Sequence, residues 1–313
     1  MSTDGTRRAV VAAFFANLGI AASKFVAFAL TGSAAMLAES IHSLADTGNQ
    51  GLLFLGRRRS HRPPTDEHPF GFGMERYFWA FVVALVLFTL GSLFALAEGI
   101  DKVIHPEAVE APAWAFGVLG LAMVLEGLSF RTARREAQSY RNGRSWWNFV
   151  RSSKSPELPV VLLEDAGALL GLVVALVGVG LAEITGNPRW DAAGSLAIGL
   201  LLGIIAAVLA VEMKSLLIGE SASPAVEARV RAAILDGPEV TRVIHLRTLH
   251  QGPDDVMLAA KLELACDTMP ALAHAIDRVE ARVRTSVPVI HLIFIEPDLY
   301  RSAEDRSQEL EEA

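Results

Sequence analysis

The sequence predicts a multi-pass membrane protein: six transmembrane α-helices followed by a small α+β cytoplasmic domain of α-β-β-α-β order. Three observations carry this. Hydrophobic residues make up 52% of the 313 positions, and they come in long blocks rather than amphipathic stripes, more than a soluble domain needs. Six of those blocks approach the roughly 20 residues that cross a hydrocarbon core. After Gly219 the pattern changes to short helical and strand-like runs. The expected boundaries are 1–219 for the membrane part, 220–298 for the cytoplasmic domain and 299–313 for a disordered acidic tail.

The opening MSTDGTRR runs into a segment that stays apolar for about 22 residues, longer than a signal-peptide core and without an Ala-x-Ala site. It reads as a retained first span. The spans are then Ala9–Leu30, Ala34–Gly56, Tyr77–Ile100, Pro112–Phe130, Leu158–Glu183 and Ala192–Val211. Arg57, Arg58, Arg59 and Arg62 follow the second span, and Arg131, Arg134, Arg135, Arg141, Arg144, Arg151 and Lys154 follow the fourth. The opposite loops hold only Lys102 and Arg189, beside Asp101, Glu107 and Glu110. The excess of cations on one side places both termini in the cytoplasm. Without an Arg-rich, Ser-rich presequence, a bacterial inner membrane is expected over an organelle.

Between the second and third spans, TDEHPFGFGMERYFWA is a Pro/Gly-punctuated turn leading to Tyr77, Phe78 and Trp79, expected as an interfacial aromatic belt. Trp146, Trp147 and Phe149 among the basic residues of the loop 131–154 suit a segment lying on an anionic inner leaflet. Gly167 with Gly171, and Gly199 with Gly203, form Gly-x-x-x-Gly pairs that permit close helix approach without implying a ligand. The net charge of -7 sits largely on the C-terminal third and argues against nucleic acid. Cys266 is the only cysteine, which excludes an intrachain disulfide.

In the cytoplasmic domain, Ser223-Pro224 reads as an N-cap with proline at the first helical position, opening a helix to about Leu235. Strands Arg242–Leu249 and Val256–Leu264 follow, joined by a Gly-Pro-Asp-Asp turn. A helix over Met269–Arg284 and a strand over Pro288–Ile295 complete a ferredoxin-like layer.

Chemistry concentrates in AAMLAESIHSLADTGNQ, Ala34–Gln50, where Glu39, His42, Asp46 and Asn49 interrupt an apolar run at spacings that stack them on one helical face. An ionisable group at the bilayer centre is costly, about 3 kcal/mol for Asp on insertion scales, unless it faces protein or water. Other ionisable residues at membrane depth are Lys24, Glu98, Glu126, Glu164, Asp165 and Glu212. Glu98, Glu126 and Glu212 lie near span ends and are expected to reach water, and Lys24 can extend to the interface. His42 and Asp46 are mid-span, and Glu164 with Asp165 opens the fifth span. Imidazole plus carboxylates is the ligand set of a first-row divalent ion: zinc foremost, with manganese, iron or cobalt as alternatives.

SAAMLAESIHSLADTGNQ, the loop motif HPFGFG, Asn17 with Lys24, LLEDAGALLG with ITGNP, and the six-span plus α-β-β-α-β layout together resemble the cation diffusion facilitators, most closely the branch of the mitochondrial zinc transporter nine and its bacterial relatives. The resemblance covers nearly the whole chain. It implies a homodimeric antiporter exporting divalent metal from the cytoplasm in exchange for protons, with a tetrahedral site between the second and fifth spans and no resident cofactor. Carried over by position, His42 and Asp46 are ligands from the second span and Asp165 from the fifth. Val161 stands where the family's fifth-span histidine would be, so Glu164 is expected to compensate, through its longer side chain or as a proton carrier. Of the ligands some members use in the loop after the second span only His68 remains, with Thr65 and Phe72 elsewhere. The cytoplasmic dinuclear positions fall on Lys261 and Phe294, so that site is expected to be absent, leaving His245, His250, His274 and His291 with structural or surface roles.

A different reading is a membrane metal sensor or scaffold signalling through its cytoplasmic domain; the loss of the cytoplasmic ligands counts against it. An intramembrane metalloenzyme is disfavoured because no His-Glu-x-x-His motif is present. The expected partners are the metal ion, protons, the lipid bilayer and a second copy of the chain.

Overall fold

The computed structural model describes residues 34–106, 112–141 and 143–301, with positions 14, 18, 19, 21, 22, 25, 26 and 29 of the first apolar segment. Asn17, Lys24 and the tail from 302 lie outside the described residues, as do the side chains of Glu39 and His42. The chain divides into two units. One runs to Arg62 and resumes over Glu75–Lys214; the other joins Pro63–Met74 to the chain from Ser215 onward.

The first unit is helical: α1 Ala34–Ser60, α2 Glu75–Ile104, α3 Pro112–Arg141, α4 Trp146–Ser152, α5 Glu157–Thr185 and α6 Arg189–Ile218. Among the described residues α2, α3, α5 and α6 are long and apolar enough to cross a membrane. The first expected span lies mostly outside the described residues. Helix α1 has the length, at 27 residues, but carries the polar stretch that sets it apart. Helix α3 continues eleven residues past the expected end at Phe130, to Arg141, and α1 runs on through Arg57–Arg59 to Ser60. Hydropathy marks where a helix leaves hydrocarbon, whereas backbone hydrogen bonding carries on into water. Helix α2 contains a π-helical stretch, Leu87–Leu93, which no residue pattern announces.

The glycine pairs bring helices together. A Cβ on Gly199 would lie 2.7 Å from Leu96, one on Gly99 2.8 Å from Leu196, and one on Gly167 2.7 Å from Ile205. The Ser92 hydroxyl donates to the Gly199 carbonyl oxygen at 2.8 Å, so α2 and α6 meet at backbone distance. At the start of α2, Arg76 makes a bidentate pair with Glu157 of α5, Nε to Oε1 at 2.6 Å and Nη2 to Oε2 at 2.9 Å, both residues buried. Tyr77 is fully buried, its hydroxyl donating to the Lys154 carbonyl oxygen at 3.1 Å. It therefore belongs to the interior and not to the expected aromatic belt. In the basic loop, Ser145 caps α4. Phe149 is buried in a cluster with Ala137, Leu158 and Leu162, against which Trp146 packs, while Trp147 remains exposed.

The second unit holds α7 Pro224–Leu235, β1 Val240–Gly252, β2 Asp255–Leu264, α8 Met269–Ser286 and β3 Ile290–Pro297. Ser223 and Thr268 cap the two helices through their hydroxyls. The sheet order is β1-β2-β3, with β1 antiparallel and β3 parallel to β2. A parallel neighbour requires a crossover, which α8 supplies. Gly252 and Asp255 pair directly, leaving Pro253-Asp254 as the turn. Val230, Ile234, Leu258, Leu262, Val279, Val283 and Ile290 form the core between helices and sheet. The loop Pro63–Met74 rests on the end of this hairpin: a side chain on Gly73 would collide with the Gln251 carbonyl, so only glycine fits there.

Candidate intramembrane metal site

On α1 the helical spacing puts His42, Asp46 and Asn49 along one face. Asp46 is half-buried, and Asn49 is buried. Helix α5 presents two adjacent acids in different directions. Glu164 reaches α1, where its Oε1 accepts a hydrogen bond from Asn49 Nδ2 at 2.8 Å. Asp165, about 100° further round, reaches α3, where its Oδ2 accepts from the Ser129 hydroxyl at 2.9 Å. Both acids are buried.

Asp46, Asn49, Glu126 and Glu164 line a cavity of about 610 Å³ whose other polar lining residues are Thr89, Glu98 and Ser195, the rest being mostly apolar, such as Leu90, Ala168 and Leu202. Asp165 is not among the lining residues. Of the two fifth-span acids, the cavity therefore meets Glu164, where helical spacing from His42 and Asp46 predicts Asp165. The two acids point apart because they are successive residues of one helix, so that Ser129 of α3 meets one and Asn49 of α1 the other.

The charges of Asp46, Asp165 and Glu126 all act on Glu164. Like charges this close in a low-dielectric interior are unfavourable until a cation or protons join them, and none of the described lining residues is Lys or Arg. Such a wall is chemically suited to a cation. Among the described residues no three His, Cys, Asp or Glu side chains come together as a ligand cluster; the His42 imidazole lies outside the description.

Glu126 is a site residue that reading the fourth span as ending at Phe130 misplaces, because α3 extends beyond it and leaves Glu126 mid-helix. Glu126 and Ser129 are three residues apart and share a face, the one signal that could have found them. Glu212, by contrast, pairs with Arg151 at 3.2 Å, whereas Glu98 lines the cavity and also pairs with Lys102 at 2.9 Å.

In the second unit, Lys261 Nζ pairs with Glu296 and Asp298 at 3.0 and 2.8 Å. Those carboxylates hold the ammonium above its ordinary range, and it in turn holds Asp298 below the usual one. Phe294 is half-exposed. His250 is buried with its Nδ1 at 3.1 Å from the Gly252 carbonyl oxygen, His291 lies 3.0 Å from Asp255, His274 faces Asp277, and His245 sits opposite Lys261 in the sheet. His68 stacks on Phe72, ring centroids 4.6 Å apart.

A helical unit with four helices long and apolar enough to cross a membrane and an acid-lined cavity among them, followed in the chain by a small sheet unit, is the layout of a multi-pass membrane protein. Residues 10–218 match the cation efflux transmembrane domain, and the chain belongs to the cation efflux family, the cation diffusion facilitators. Members of this family are transporters, not enzymes. The chain is 36% identical to the mitochondrial proton-coupled zinc antiporter SLC30A9 of Mus musculus over 244 residues, 77% of this chain and 43% of that protein. The Homo sapiens protein of the same name gives the same figures. The chain thus spans less than half the length of these relatives. It is 26% identical to the manganese efflux system protein MneP of Bacillus subtilis over 280 residues, 87% of this chain and 89% of that one.

Proposed function

We propose that the chain is a proton-coupled antiporter that exports a divalent transition metal, zinc foremost, from the cytoplasm. The ion is held between α1 and α5 by His42, Asp46 and Glu164, with Asp165 behind Glu164. The observation that carries this reading is the Asn49–Glu164 hydrogen bond, which joins the two helices at the acid wall of the cavity. Metal entering there replaces protons on His42 and the carboxylates, because ligands bind deprotonated. Re-exposure of the site to the far side lets protons reload it. The similarity to a zinc antiporter and to a manganese efflux protein favours this class of cargo.

The wider arrangement we propose is six spans over 1–219, a ferredoxin-like cytoplasmic domain over 220–298, an acidic tail over 299–313, both termini cytoplasmic, a homodimer, and a bacterial inner membrane. The basic residues after the second and fourth spans support the orientation. The test is metal-dependent proton flux in proteoliposomes over a panel of divalent ions. Zinc uptake coupled to opposite proton movement is expected; binding without flux would return the sensor reading.

A further inference from the structure

The amide of Asn49 is engaged on one side only. Its Nδ2 is committed to Glu164, while its Oδ1 is buried and accepts no hydrogen bond. Asn49 is 2% exposed and shares the cavity wall with Asp46, one helical turn earlier, and with Glu126 and Glu164. A buried carbonyl without a donor is rare in a folded protein and marks either strain or a missing partner. The partner that suits an acceptor on a cavity wall that also carries carboxylates is a cation or a water molecule bound to one.

Resting on the function proposed above, we infer that Asn49 Oδ1 is an oxygen ligand to the transported ion, directly or through a bound water, and that it sets the metal preference of the site. The Glu164 hydrogen bond fixes the plane of the amide, so the oxygen is held in place before metal arrives. An amide carbonyl is a neutral, hard donor that loses no proton on binding. It adds little for zinc, which is satisfied by imidazole and carboxylates in a four-coordinate site. It adds more for manganese, which favours carboxylate, carbonyl and water oxygens in greater number. With it, the site takes manganese as well as zinc.

The experiment compares kcat and KM for zinc and for manganese in proteoliposomes of the full chain, wild type, Asn49→Leu, Asn49→Asp and Asp46→Ala. Asn49→Leu keeps the bulk but removes the oxygen. It is expected to lower manganese transport relative to zinc by about tenfold, the low end of what a lost metal-orienting group costs in affinity. Asn49→Asp keeps a hard oxygen and loses the donor to Glu164, and is expected to preserve the manganese-to-zinc ratio. If Asn49→Leu lowers both metals equally, or Asn49→Asp and Asn49→Leu shift the ratio alike, Asn49 acts only by positioning Glu164 and the inference fails. A wild type that carries zinc and no manganese also overturns it. Metal titration in detergent repeats the comparison for any variant that folds but does not reconstitute. Asp46→Ala separates the two readings: if it transports both metals normally, the site itself is wrong, whereas its loss with an unchanged ratio in Asn49→Leu removes only the role of Asn49.

Discussion

Two neighbouring acids on α5 meet different partners, and that difference sets what each substitution should do. Glu164 lines the cavity and bonds Asn49; Asp165 lies behind, bonded to Ser129. Glu164→Ala is expected to lose metal binding by tenfold or more, in line with loss of a ligand or its support, while Asp165→Ala weakens it less; zinc titration in detergent ranks them. That Asp46 lines a cavity was legible in the sequence, because a charge amid apolar residues has few explanations; His42 draws attention for the same reason, and its side chain lies outside the described residues. Asn49, on the same face, was legible as a face member but not as the partner of Glu164, since periodicity says which residues share a face and nothing about what faces them. The split of Glu164 from Asp165 was illegible for the same reason: it depends on Ser129, from a helix 36 residues away in sequence.

At the scale of elements, α2, α5 and α6 are held by contacts too close for ordinary side chains. Gly199→Val would press on both the side chain and the backbone nitrogen of Leu96. It is expected to cost about 1–3 kcal/mol, as overpacking does, visible as a lower melting temperature in detergent. The Arg76–Glu157 pair joins the starts of α2 and α5. Arg76→Met strands a buried carboxylate and should destabilise by about 3–5 kcal/mol, whereas Arg76→Met with Glu157→Leu should regain most of it. The same melting assay decides; equal losses in the single and double variants would mean the charge is not stranded. Apolar blocks made the long helices legible, because hydrocarbon thickness sets their length. Where each helix stops was not legible, as α3 demonstrates by continuing through Arg131, Arg134 and Arg135. The end-to-end pair of Arg76 with Glu157, 81 residues apart, had no local signature. The strands and the caps at Ser223 and Thr268 were legible to within a few residues, since capping and alternation are local.

For the molecule as a whole, the sheet unit carries its own pH dependence. Burial pushes the Glu239 carboxyl up, but the hydrogen bond from Arg282 Nη1 at 2.6 Å and the charge of Arg278 outweigh it and hold the group below the ordinary carboxylate range. A carboxyl depressed on folding stabilises fully above its unfolded value of about 4.3, and that contribution disappears as pH falls through the lower folded value. Unfolding of the full chain followed by circular dichroism should therefore show the sheet unit weakening below about pH 4. Arg282→Met should flatten that dependence at a cost of about 1–3 kcal/mol near neutrality. The loop at Gly73 has a separate consequence, one of connectivity. Because Pro63–Met74 belongs with the sheet while the helices flanking it belong to the other unit, the polypeptide passes between the units three times, at 62/63, 74/75 and 214/215. Cutting the chain at 214/215 leaves Pro63–Met74, which packs with the sheet, on the other fragment. The fragments should co-elute after such a cut in the wild type and co-elute less in Gly73→Val, whose side chain would push that loop from Gln251.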